Sequence, residues 1–189
     1  PYSSYSYYFI TEGDSPLLLK EDGECVTDET ISEIPYHVVY DKDEFAWYEG
    51  GKQFYDAYNF ANGNSKTYTL NTPDAVNASA SLEVSFSASS TNSSTDVLVT
   101  HGENSLGRFN IRYCRDHESA IDKCQIYKLN DISETTPIKF TTTTGRDARL
   151  NYLSLTYIRE LSAKGTPISF VPTPSSSNSI ALRIEDATN

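Results

Sequence analysis

The chain has 189 residues, of which 38% are apolar and 12% aromatic, a composition sufficient for one domain with its own core. Its formal net charge is −11, and residues 1–49 hold 12 acidic but only 2 basic side chains. An acidic chain of this kind excludes nucleic acid and anionic membrane surfaces as expected partners.

The first 49 residues are predicted to form an acidic N-terminal β segment. Short runs rich in aromatic and β-branched residues alternate with acidic, Gly- or Pro-containing turns, which is the pattern of short strands. The predicted strands are Tyr5–Thr11, Leu17–Lys20, Cys25–Ile31 and Tyr36–Tyr40. Asp41–Tyr48 is predicted to form one helical turn with an Asp cap, ending before Gly50 and Gly51. The segment is either a separate subdomain or an edge hairpin of the domain that follows.

Residues 50–162 are predicted to form a jelly-roll-like antiparallel β-sandwich, which places the chain in the all-β class. Within 145–161, Leu153, Leu155 and Tyr157 alternate with polar residues, as expected for a long strand with one buried face. Short strands at a spacing of roughly 8–12 residues are typical of sandwiches and jelly rolls. The other predicted strands here are Lys66–Leu70, Ala80–Ala88, Thr95–His101, Gly107–Tyr113, Gln125–Leu129 and Pro137–Thr142.

Residues 163–189 are predicted to be a linker and the start of a further β unit. Two short strands, Ile168–Val171 and Ser179–Ile184, flank a Ser- and Pro-rich turn and would form a C-terminal hairpin. The sequence contains no Met and no apolar run near the ~20 residues that cross a bilayer. We therefore expect a fragment or processed piece of a longer protein, with no transmembrane segment and no cofactor in these residues.

Three cysteines leave at least one unpaired within the chain. Cys114 and Cys124 could close a hairpin loop as a disulfide in an oxidising compartment, leaving Cys25 as a free thiol or a buried small hydrophobe. Together with His117 they also offer three zinc-competent side chains, but a structural zinc site needs four ligands. No cysteine lies in a recognisable nucleophile context of a Cys–His peptidase, so no catalytic residue and no metal is expected.

Two groups of carboxylates are weaker candidates for a functional site. Glu21, Asp22 and Glu24 could bind Ca²⁺, but the spacing of an EF-hand is absent. A glycosidase needs two carboxylates that face each other across a sugar. Nothing in the sequence pairs the four candidates, which are Asp56, Asp74, Glu83 and Asp147.

An aromatic cluster is the best candidate for a binding surface. Exposed rings of this kind stack on sugars in glycan-binding sandwiches, whereas buried rings fill a core or anchor a domain interface. We favour the core or interface over the glycan site. The cluster consists of Trp47, Tyr48, Phe54, Tyr55 and Tyr58.

Several motifs together carry a resemblance to a known family. They are Tyr7–Thr11, Tyr36–Asp43, Gly50–Asp56, Thr72-Pro73, Leu106–Phe109, Ala148–Tyr152, Ile168–Phe170 and Ile180–Ile184. Their order resembles the region before the catalytic domain in PorU-type proteins. These are gingipain-like cysteine peptidases that act as signal peptidase and sortase of the type IX secretion system in Gram-negative bacteria. Where that family has Gly-Arg-x-Trp-Tyr-Gly-Glu, this chain has GKQFYDA at Gly51–Ala57, and no catalytic residue carries over.

The resemblance implies a non-catalytic structural module of a large peptidase at the cell surface, associated with the outer membrane or on its periplasmic side. Its expected partners are the catalytic domain of the same polypeptide and proteins of the secretion system. The alternative is a carbohydrate-binding β-sandwich module of a surface glycan-utilisation system.

Overall fold

The structure, a computed structural model, describes residues 29–61, 63–164, 169–170 and 180–186, and these contain β-strands and no helix. In chain order the strands are β1 (Thr30–Ile31), β2 (Glu33–Asp41), β3 (Ser65–Asn71), β4 (Ala80–Ser89), β5 (Thr95–His101), β6 (Asn104–Ile111), β7 (Ile121–Leu129), β8 (Thr135–Thr142), β9 (Asp147–Glu160) and β10 (Ala181–Leu182).

Strands β2 to β9 form two four-stranded antiparallel sheets. The first sheet has the order β2-β9-β4-β7, and the second has the order β3-β8-β5-β6. Consecutive strands lie in different sheets except for β5 and β6, which form a hairpin. This is the arrangement of an eight-stranded jelly roll, so the predicted all-β, jelly-roll-like fold is confirmed.

The core lies between the two sheets and is built from every second residue of each strand. Leu82, Val84 and Phe86 of β4 are fully buried, as the alternation in the sequence predicts. The ring of Phe86 packs against Phe60 and Phe140, with centroids 5.1 Å apart in both pairs. Such tilted aromatic pairs contribute about 0.5–1.5 kcal/mol beyond the burial of their area.

A β-bulge interrupts the pairing of β4 with β9. The register shifts between Ser85 and Phe86, which lie opposite Tyr152 and Leu150, so that Asn151 is the extra residue. Because of this extra residue, Leu150 and Leu153 both face the core although they are three positions apart. The bulge explains why the alternation changes phase within β9, from Ala148 and Leu150 on the buried side before it to Leu153 and Leu155 after it.

The two ends of the jelly roll carry different segments. The connections 42–61, 90–94, 112–120 and 143–146 meet at one end, which we call the aromatic end. The connections 72–79, 102–103 and 130–134 lie at the opposite end, which we call the tail end. The chain reaches β2 and leaves β9 at the tail end, because Glu33 pairs with Glu160 there.

The N-terminal β segment contributes directly to the sandwich. β2 pairs with β9 along its whole length, and among the described strands it lies at the edge of the first sheet. β10 pairs in parallel with β1, through Thr30 opposite Ala181. The predicted boundaries after residues 49 and 162 stay predictions. The predicted strands Tyr5–Thr11 and Leu17–Lys20, most of Cys25–Ile31 and half of Ile168–Val171 fall outside the described residues.

The helical turn predicted for Asp41–Tyr48 is wrong. Residues 42–61 form an extended connection in which Phe45 N donates to Tyr55 O at 2.9 Å and Tyr55 N to Phe45 O at 2.8 Å. Further along, Asp56 N donates to Leu150 O and Phe60 N to Ala148 O, each at 2.8 Å. These backbone groups are satisfied by partners distant in sequence, which a local capping signal does not reveal.

Candidate functional site

The connection between β2 and β3 is held against the outer face of the first sheet at the aromatic end. Trp47 Nε1 donates to Ser87 Oγ at 2.9 Å, and this contact helps to bury a serine on the outward side of β4. The Arg149 guanidinium lies 3.5 Å from the centre of the Phe45 ring and donates to Ala57 O. Stacking and hydrogen bonding by one arginine thus fix both arms of the connection.

A cleft of about 610 Å³ opens between this connection and residues 112–120. One wall is aromatic, and the other groups are polar, small or charged. Gly50, with φ of 78°, supplies the turn that reverses the connection beside the cleft. The lining consists of Trp47, Tyr48, Gly50, Gly51, Lys52, Gln53, Tyr55, His117, Ser119, Ala120 and Asp122.

Tyr55 joins the two walls of the cleft. Its ring is buried, and its hydroxyl lies 2.9 Å from Asp122 Oδ1 and 3.1 Å from Gln53 Oε1, so that its single proton can be donated to either oxygen. Burial, together with the hydrogen bond to Asp122, raises the pKa of Tyr55 to about 12. The phenol therefore remains protonated at neutral pH and keeps its role as donor.

Asp122 and Gln53 keep hydrogen-bonding capacity for a ligand. Within the described residues, neither the second carboxylate oxygen of Asp122 nor the side-chain nitrogen of Gln53 makes a hydrogen bond to the protein. Both side chains are exposed, so these groups face solvent at the cleft. The cleft thus presents one acceptor and one donor that Tyr55 holds near each other.

Exposed aromatic side chains surround this end of the molecule. Tyr48 is 59% exposed, Phe54 44% and Tyr113 50%, and all three are carried by the two connections that form the cleft. Large rings left in water without core contacts are a common feature of binding surfaces.

Only some of the five aromatic residues predicted as a binding surface line the cleft. Trp47, Tyr48 and Tyr55 line the cleft, whereas Phe54 lies exposed beside it without lining it. Tyr58 turns to the core side, where its ring centroid lies 4.8 Å from that of Phe60. A role of these residues in binding stays a prediction.

Sequence analysis missed the polar residues of the cleft. Lys52, Gln53, His117 and Asp122 come from two connections and the start of β7. The Gly50-Gly51 pair marks the turn that brings the first two into place. Asp122 carries no signal of its own, because an outward-facing acidic residue on a strand is ordinarily a solvated one.

The predicted disulfide is not formed, because Cys114 and Cys124 are free thiols in the structure. Cys114 is buried, with its thiol 3.7 Å from Ala88 O, whereas Cys124 lies on the outer face of the first sheet and donates to Glu83 Oε1 at 3.1 Å. The two thiols have different partners in different environments, so spacing alone was misleading.

Neither of the weighed metal sites is found in the described residues. No group of three or more His, Cys, Asp or Glu side chains that could hold a metal ion occurs in this part of the chain. The zinc-competent residues Cys114, His117 and Cys124 are therefore not gathered. Cys25 and the acidic turn Glu21, Asp22 and Glu24 fall outside the described residues.

The four candidate glycosidase carboxylates have separate partners. Asp56 accepts from Tyr40 and Lys66, Asp74 from Arg159 and Lys164, Glu83 from Tyr152, and Asp147 from Asn59.

Comparison with known proteins identifies solved structures with a similar fold. No protein-family model and no curated protein matches the chain. Among solved structures it is similar to the dimeric latent PorU from Porphyromonas gingivalis, with a TM-score of 0.67 and 11% identity. The match covers 88% of this chain and 17% of the PorU chain, and at this identity it shows a shared fold.

Carbohydrate-binding modules are also similar, at lower scores. A family 35 module from Clostridium thermocellum has a TM-score of 0.41 and 17% identity, covering 65% of this chain and 90% of that module. A family 35 module from Cellvibrio japonicus Abf62 has a TM-score of 0.43 and 10% identity, covering 68% and 97%. In the part of the chain that the structure describes, no helix is long and apolar enough to cross a membrane.

Proposed function

We propose that the chain is a non-catalytic interaction module of a large gingipain-like peptidase of the type IX secretion system. It acts at the cell surface or the outer membrane, where it positions the catalytic domain of the same polypeptide or a secretion partner. The fold shared with part of PorU supports this role.

The observation that carries the proposal is that segments before and after the sandwich are held together at the tail end. β1 pairs with β10, Leu161 N donates to Ser32 O at 2.8 Å, and Glu185 N donates to Leu161 O at 2.8 Å. Because the tail end of the sandwich is fixed to the flanking segments, its opposite end is held in a defined orientation, as a positioning module requires.

A largely buried ion cluster strengthens the attachment at the tail end. Asp74 accepts from Arg159 Nη2 at 2.8 Å and from Lys164 Nζ at 3.1 Å, and the Asp74 and Arg159 side chains are only 6% and 10% exposed. Arg159 also lies over the Tyr36 ring, 4.9 Å from its centroid. The Asp74–Arg159 pair joins the β3–β4 connection to the end of β9, and Lys164 attaches the segment after β9 to the same carboxylate. Because breaking a buried pair leaves an unpaired charge, Asp74 is held firmly in place for this contact.

The test uses the purified chain and the separately produced remainder of its gene product. We expect a complex on size-exclusion chromatography that the charge reversal Arg183→Glu at the tail end weakens and Tyr48→Ala at the aromatic end does not. We also expect no peptide cleavage by the chain alone. Absence of any complex contradicts the proposal, as does cleavage that persists after all three cysteines are replaced by serine.

Carbohydrate binding by the cleft is a second candidate function. The observation that favours it is the combination of the exposed Tyr48 ring with the available hydrogen-bonding groups of Gln53 and Asp122. The two functions are compatible, since one uses the tail end and the other the aromatic end.

A further inference from the structure

We propose that the cleft binds a neutral sugar ring, with Tyr48 stacked on its face and Gln53 and Asp122 reading two neighbouring hydroxyls. This inference rests on the second candidate function and deepens it by naming the ligand class and the residues that select it.

The hydrogen-bonding groups of the cleft match a vicinal diol. A hydroxyl both donates and accepts, so one hydroxyl can donate to the second carboxylate oxygen of Asp122 while its neighbour accepts from the Gln53 amide nitrogen. The Tyr55 hydroxyl lies 2.9 Å from Asp122 Oδ1 and 3.1 Å from Gln53 Oε1, and so orients both groups before a ligand arrives. Such preorganisation reduces the entropy cost of binding.

The aromatic wall matches the other face of such a ligand. A pyranose ring carries C–H groups on one face, and an exposed ring of the Tyr48 type offers an apolar surface for them. Binding sites commonly combine aromatic walls with a few placed polar groups, and this cleft has that composition.

Charge favours a neutral sugar over an acidic one. The chain carries a net charge of −11, and Asp122 adds a carboxylate within the cleft itself. Lys52 and His117 also line the cleft, so a uronic acid is the matched competitor to be tested. The field of the whole chain opposes accumulation of anionic ligands near its surface.

Trp47 provides a direct reporter, because it is the only tryptophan in the sequence and lines the cleft. The chain is titrated with methyl glycosides of glucose, galactose and mannose, with their monodeoxy analogues, and with glucuronic acid. We expect a saturable change in Trp47 emission with at least one neutral glycoside, and an affinity about 5-fold lower for the analogue that lacks one of the two hydroxyls. Saturation-transfer NMR on the same samples detects binding that leaves the emission unchanged.

Single substitutions test each proposed contact with the sugar. Tyr48→Ala, Gln53→Ala and the isosteric Asp122→Asn should each lower the affinity about 10-fold or more, since each removes one of the proposed contacts. The matched controls Tyr113→Ala and Asp116→Asn alter an exposed aromatic and an exposed acidic residue that do not line the cleft, and should bind as the parent chain does. The midpoint of urea denaturation, measured for each variant, serves as the check that the variant is folded.

Four results overturn the inference. The first three are the absence of binding to every neutral sugar by both methods, tighter binding of glucuronic acid, and equal losses in the cleft variants and their controls. A Trp47 response only to the remainder of the gene product identifies the cleft as a protein-docking surface and also overturns it. The first three results leave the positioning role, which is tested at the tail end, unaffected, whereas the fourth moves the docking surface to the aromatic end.

Discussion

At the scale of single residues, Gly145 is held in a conformation that favours glycine. Its φ is 91°, and a Cβ added there would lie 2.8 Å from Thr95 Cβ and 3.0 Å from Thr95 Cα. Because Thr95 is buried in β5 and cannot move aside, we expect Gly145→Ala to lower the free energy of unfolding by about 3 kcal/mol. Gly102→Ala is the control, with φ of 56° and no atom within 4 Å, and should cost about 1 kcal/mol. Urea denaturation measures both, and equal losses would contradict the role given to Thr95.

Asp56 makes stability depend on pH. Burial alone would raise its pKa, but hydrogen bonds from Tyr40, the Tyr58 backbone and Lys66 outweigh burial and hold the pKa below the ordinary value of 3.8. The stabilisation is therefore complete above the unfolded-state pKa and is lost as the pH falls through the folded-state value.

We expect Asp56→Asn to be less stable at pH 7 and to lose less stability between pH 7 and strong acid than the parent chain. Denaturant midpoints across pH check this, with the exposed turn variant Glu103→Gln expected to follow the parent. A parent-like pH profile in Asp56→Asn would count against the assignment.

At the scale of elements, the β2–β3 connection owes its conformation to β9. We expect Arg149→Ala to remove the contact with Phe45 and the hydrogen bond to Ala57, at a cost of about 1–2 kcal/mol. Hydrogen exchange should become faster across residues 45–57, and Trp47 emission should shift to longer wavelength. Arg149→Lys should not restore either property, because an ammonium lacks the planar stacking surface. The neighbouring exposed Arg146→Ala is the control, and unchanged exchange in Arg149→Ala would mean that aromatic packing alone holds the connection.

At the scale of the whole molecule, Asp74 links the sandwich to the segment that follows β9. Asp74→Ala leaves the nearly buried Arg159 without its partner, so we expect a loss of about 3 kcal/mol or more. It also removes the contact of Lys164 with the sandwich, so we expect the segment after residue 162 to be held less firmly at the tail end. Limited proteolysis should then cut after residue 162 while the eight-stranded core stays intact. Lys42→Ala breaks the exposed pair with Glu44 and should cost less than about 1 kcal/mol without new cleavage. Equal protease resistance of the two variants would show that Asp74 does not anchor this segment.

The sequence by itself determined the class of the fold and most of its core. Strands such as β4 and β9 are visible because period-two alternation records which side of each strand meets apolar neighbours, and Leu82, Val84, Leu153 and Leu155 are buried as expected. The aromatic cluster around Trp47 also pointed to the region in which the cleft lies.

Only the tertiary structure decided the order of the strands, the free state of the two thiols and the composition of the cleft. Tyr55 meets Asp122 across 67 positions of sequence, and Arg159 meets Asp74 across 85. The helical turn at Asp41–Tyr48 was wrong for a related reason, since Phe45 pairs with Tyr55 later in the connection, and β9 holds the following residues Asp56 and Phe60. Local patterns record the side of a strand that is buried, but the choice of partner depends on the closure of the whole jelly roll.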